Sequence, residues 1–184
     1  MAVYTELNKE EIICFLKLYK IGEFISFHEI TEGIENSNFY LETSKGKYIL
    51  TIFEKRVDQN DIPFFINIMK YLSSREFLCP SPILNIQKNY LQKLHNKPAI
   101  IVSFLNGISK TKTTNEDCFN VGSNMASMHL KSNNFPYTRQ NSLSIFGWSQ
   151  LIKNCSETIP ISTLNEIQPN ILEEIQDPFN SCTR

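Results

Sequence analysis

The stretch "NFYLETSKGKYILTIF", residues 38–53, limits the folds open to this chain more than any other. Phe39, Leu41 and Thr43 alternate with Tyr40 and Glu42. A period of two gives a strand one buried face and one open face. Gly46 sits in "TSKGK" and turns the chain back into "YILTIF". Antiparallel strands are therefore expected at about 23–31, 38–43 and 47–53.

Helical periodicity flanks them. Residues 9–20 place Ile12, Phe15, Leu16 and Tyr19 on one face, with Asn8 and Glu11 spaced as a capping box. A second helix is expected over 61–74, capped by Asp61 with Pro63 in its first turn. Strands return at 83–86, 90–94 and 98–105. Thr114 and Asp117 cap a helix over about 115–131, with Cys118, Val121, Met125, Met128 and His129 on one side. Weak helical patterning follows at 148–155 and 162–176. Strands first and helices later point to an α+β fold with an antiparallel sheet. The boundary falls near "NGISKTKTT", giving domains 1–105 and 106–184.

Bulk chemistry narrows the function. Eighteen basic and 19 acidic residues leave a net charge of -1, so nothing calls for nucleic acid or an anionic membrane surface. The first twenty residues lack the pattern of a signal peptide, and no apolar run is long enough to span a bilayer. Five scattered cysteines and three isolated histidines favour a reducing cytoplasm over a zinc site or a disulfide framework.

Gly33, Asn36, Ser37 and Asn38 crowd what reads as a hairpin tip. Turn chemistry alone explains them. The other reading is a loop whose backbone amides reach a phosphate. The order of elements bears on the choice. Strand, tip, strand, turn, strand, helix, then strands ending in "IIVSFLNG" outline the small lobe of a kinase. Ser103, Phe104 and Leu105 would then occupy the lobe-joining hinge, with Gly107 easing the exit. A buried strand end explains them equally.

The segments "MAVYTEL", "EGIENSNFYLETSKGKYILTIFEKRV", "DIPFFINIMKYL", "CPSPI", "PAIIVSFLNG", "VGSNMASMHL" and "NSLSIFGWSQL" resemble the bacterial homoserine kinases of the aminoglycoside-phosphotransferase-like type. The resemblance runs from residue 1 to about 155. It implies a protein-kinase-like fold, ATP with Mg2+, and phosphorylation of L-homoserine to O-phospho-L-homoserine on the route to threonine. It further implies that Gly33, Asn36, Ser37 and Asn38 cover the phosphates and that Ser103–Leu105 form the hinge. The pairing of "GIENSNF" with "YILTIFEKR" sets the chain apart from kinases acting on choline or aminoglycosides.

The wider kinase pattern carries a lysine on the third strand, and this chain departs from it. The place of that lysine falls on Thr51, and the place of its glutamate partner falls on Phe64 or Phe65. Lys55 and Arg56 could supply the cation, or could be solvated charges at a strand end. His129 resembles a packed helical histidine of the superfamily, and Trp148 reads as core or as pocket lining. The catalytic H-x-D-x-x-x-x-N loop is missing, because none of His28, His95 and His129 is followed two residues later by Asp. Asp177 stands three residues before Asn180, not the required five. The chain thus reads as the amino-terminal part of such a kinase. It is expected to hold no catalytic or metal-binding residue, to be inactive alone, and to self-associate through an uncovered apolar side of helix 115–131. The alternative is a non-catalytic module that binds a nucleotide or a protein.

Overall fold

The structure is a computed structural model that describes residues 4–55 and 57–141, with 144, 147, 148, 151, 154, 162 and 163. The described residues fall into two units divided between Tyr137 and Thr138. Most of the patterning expected at 148–155 and 162–176, together with Arg56 and Asp177, lies outside the described residues.

In the first unit the elements run α1 (Lys9–Leu16), β1 (Phe24–Ile30), β2 (Asn36–Thr43), β3 (Gly46–Phe53), α2 (Ile62–Ser74), β4 (Gln92–Leu94), β5 (Lys97–Ser103) and α3 (Asn115–Ser132). The five strands form one sheet in the order β1-β2-β3-β5-β4, and every neighbouring pair is antiparallel. The α+β expectation holds.

Alternation in the sequence becomes two layers. Phe39, Leu41, Leu50, Ile52, Ala99 and Ile101 pack against Ile12, Phe15 and Leu16 of α1. On the opposite face, Phe53, Ile100 and Val102 pack against Ile62 and Ile66 of α2. Burying such side chains stabilises by roughly 1.5–3 kcal/mol each, and this anchors both helices to the sheet.

Several boundaries differ from the sequence reading. The α1 helix stops at Leu16, not at residue 20. The amides of Lys17, Leu18 and Tyr19 tighten onto carbonyls three residues back. Tyr19 then bridges Asn85 across the layer. Residues 83–86 form no strand, since only isolated bridges at Pro82 and Asn85 occur there. The Asn85 side chain instead accepts from the amides of Gln87 and Asn89 and closes a turn. Asp61 makes no capping bond to α2. The cap belongs to Asp58, whose carboxylate accepts from the Asn60 amide at the head of a short 3-10 turn that runs into the helix. Both predicted capping boxes are present, at Asn8/Glu11 and at Thr114/Asp117. No residue of α3 is buried.

Candidate functional site

Strand parity divides the cluster read as a tip. β2 begins at Asn36, so Asn36, Ser37 and Asn38 are strand residues, paired with Phe53, Ile52 and Thr51. The tip proper is 31–35, and of the four cluster residues it holds Gly33 alone. Gly33 has φ +107 and open space where a Cβ would stand. Only glycine adopts that backbone without strain.

Asn36 and Asn38 face the α2 side of the sheet with Tyr40 and Glu42, while Ser37 faces the α1 side and is fully buried. Thr51 comes beside Asn38 and donates to its Oδ1 at 2.8 Å. Asn36 Oδ1 is buried with no partner among the described residues. β1 adds His28, stacked on Tyr40 at 4.6 Å between ring centroids. Phe104 meets Tyr40 edge-on at 5.3 Å. Since α2 covers only the β3–β5 side of this face, the His28–Asn38–Tyr40 side stays accessible.

Ser103 and Phe104 leave β5 under restraint. The Ser103 amide donates to the Ser81 carbonyl and its hydroxyl accepts from the Ser81 amide, both at 2.9 Å. The Phe104 amide donates to the Lys47 carbonyl at 3.2 Å. Leu105 is the first residue past the strand whose amide and carbonyl make no hydrogen bond among the described residues. This end lies beside Tyr40, and the tip lies beyond Asn36. Four residues of extended chain separate them, roughly 13 Å, the scale of a nucleoside polyphosphate.

Ser37 belongs to a different construction. Its Oγ accepts from the amides of Tyr4 and Thr5 at 2.9 and 3.1 Å and donates to Glu54 at 2.6 Å. Glu54 also accepts from Thr5 Oγ1 at 2.6 Å and from Lys97. Burial raises the Glu54 pKa, but the hydrogen bonds from Lys97, Ser37 and Thr5 outweigh it and hold the carboxyl below its ordinary value. The Tyr4 hydroxyl donates to the Ile34 carbonyl in the tip at 2.9 Å. The sequence reading missed Tyr4, Thr5, Glu54 and Lys97. One local signal was available: Glu54 continues the buried parity of Leu50 and Ile52, and a carboxylate there requires a cation.

Phe64, at the expected glutamate place, packs its ring on Phe65 and Phe135 at 5.9 and 5.6 Å. Lys55 is exposed in the turn after β3. His129 is exposed on α3 rather than packed. Trp148 is half-buried in a helical turn of the second unit. Among the described residues, no three His, Cys, Asp or Glu side chains converge as a metal site.

A model described as "Phosphotransferase enzyme family" matches residues 26–177. The homoserine kinase of Methylorubrum populi is 45% identical over 151 residues, 82% of this chain and 47% of that protein. The homoserine kinase of Rhizobium meliloti is 41% identical over 175 residues, 95% of this chain and 52% of that protein. The chain spans about half the length of the curated relatives it matches. Among solved structures, spectinomycin phosphotransferase in complex with ADP and spectinomycin superposes with a TM-score of 0.60 at 13% identity, covering 82% of this chain and 47% of that one.

Proposed function

This chain belongs to the phosphotransferase enzyme family, and we propose that it is the nucleotide-binding part of an ATP-dependent homoserine kinase. The identity of 41–45% to homoserine kinases over most of the chain carries the reading. The open face of the sheet supports it. Adenine lies against Tyr40, His28 and Phe104, and the Leu105 backbone offers its polar edge one donor and one acceptor. The phosphates run past Asn38 and Asn36 toward the amides of the 31–35 tip. The Asn36 amide, whichever way it is turned, presents a polar atom there. Ser37 acts from behind by fixing the strand. Thr51 supplies no charge, and Lys55, exposed in the turn after β3, is the cation proposed in its stead. Glu32 and Glu35 flank Gly33 in the tip, so anion binding there falls to backbone amides.

In the reaction, the L-homoserine hydroxyl oxygen bonds to the γ-phosphorus as the bond to the β–γ bridging oxygen breaks. ADP leaves, and the hydroxyl proton passes to a base. None of the three histidines here is followed two residues later by the Asp that would take it. The proposal is therefore a chain that binds ATP and does not turn over by itself, with small lobe 1–105 and helical region 106–184. The complete enzyme would serve cytoplasmic threonine synthesis. Among the described residues no helix is long and apolar enough to cross a membrane.

Titration calorimetry with ADP on the 184-residue chain tests the reading. Binding weakened at least tenfold by Tyr40→Ala is expected, with no O-phosphohomoserine formed from ATP and L-homoserine. No heat at millimolar ADP refutes the nucleotide site, and steady turnover refutes the inactivity.

A further inference from the structure

The tip 31–35 is held by little. It carries Gly33 at φ +107 with open space around it, and its strands stop pairing at Ile30 and Asn38. Among the described residues, its one hydrogen bond to another part of the fold comes from the Tyr4 hydroxyl to the Ile34 carbonyl. The segment bearing Tyr4 is itself firmly seated. The Tyr4 and Thr5 amides both end on the buried Ser37 hydroxyl, and the Thr5 hydroxyl lies between Glu54 and Lys97. A rigid anchor thus reaches a loose loop through one phenol.

We infer that Tyr4 is a positioning residue that holds the β1–β2 tip over the phosphates of a bound nucleotide. The inference rests on the nucleotide reading of the open face. The Tyr4 ring is half-exposed and adds little to the core, so its hydroxyl can be removed without disturbing the fold. What it controls is where the tip amides sit. A hydrogen bond of this kind, worth about 1 kcal/mol, corresponds to about a fivefold change in a population or an affinity.

The experiment is Tyr4→Phe in the full chain, read by hydrogen exchange at the amides of 31–35 and by titration with ADP and with adenosine. Expected are tip exchange faster by about three- to tenfold, ADP affinity weaker by a similar factor, adenosine affinity unchanged and a melting temperature lowered by no more than about 4 °C. Adenosine has no phosphates, so equal losses for both ligands would mark a general structural effect and overturn the inference. Unchanged tip exchange overturns it whatever the nucleotide does, as does faster exchange with unchanged ADP affinity. Failure of the unmodified chain to bind ADP removes both the nucleotide reading and the positioning role. Exchange at the tip would still show separately whether Tyr4 restrains it.

Discussion

The Thr51 hydroxyl donates to Asn38 Oδ1 at 2.8 Å, between paired residues of β3 and β2. Two neutral side chains satisfy each other there. Thr51→Val keeps the shape and removes the donor. It is expected to lower stability by about 1 kcal/mol and to change ADP affinity less than threefold. Urea denaturation and calorimetry check both, and a tenfold loss of ADP affinity would give Thr51 a direct role with the nucleotide.

Lys97 is the cation that Glu54 requires. Lys97→Met strands a carboxylate that is almost wholly buried. The full penalty for breaking a buried pair is about 3–5 kcal/mol. Lys97 is about a third exposed, so roughly 2–3 kcal/mol is expected in urea denaturation. Adding Glu54→Gln to Lys97→Met should restore part of the loss, and a fully additive double variant would show that the two are uncoupled.

Acid should find the same site. The folded Glu54 pKa lies below its unfolded value of about 4.3, so its contribution is complete above that value and lost as pH falls through the folded pKa. Glu11 and Asp117 are also lowered, Glu11 mainly by the Asn8 amide and Asp117 mainly by Lys110. Stability should therefore fall progressively as pH drops below about 5, less steeply in Glu54→Gln. Equal slopes for the two proteins would remove Glu54 from the account.

The α3 helix has Phe119, Val121, Met125 and Leu130 mostly exposed, with Ile108 almost fully so nearby. Apolar surface of this extent drives association. Sedimentation of the isolated chain should show concentration-dependent oligomers, reduced by Phe119→Lys with Met125→Lys. A monodisperse monomer at 100 μM, an arbitrary test concentration of about that order, would dismiss the idea.

What was legible in the sequence was local. The β2 alternation and both capping boxes involve residues three or fewer positions apart, and their chemistry is complete within that span. The cluster Asn36-Ser37-Asn38 was misread as a turn because the reason for it lies elsewhere. Asn38 answers Thr51 on the next strand, and Ser37 answers residues 32 and 33 positions earlier. Asp61 looked like a cap, but Asp58 reaches the first free amide. The uncovered apolar side of α3 was expected only through the resemblance to longer kinases, since its apolar spacing alone reads like that of a buried helix.

The seat of Thr5 joins it to β2, to the residue that follows β3 and to β5, with partners 32, 49 and 92 positions away. The seat is complete only when all three strands have met, so it is expected to close after the folding barrier. Interactions absent from the transition state leave the folding rate alone and govern the unfolding rate. Thr5→Ala is therefore expected to speed unfolding and to leave the folding rate unchanged, which would make this one seat a control on how long the native state survives.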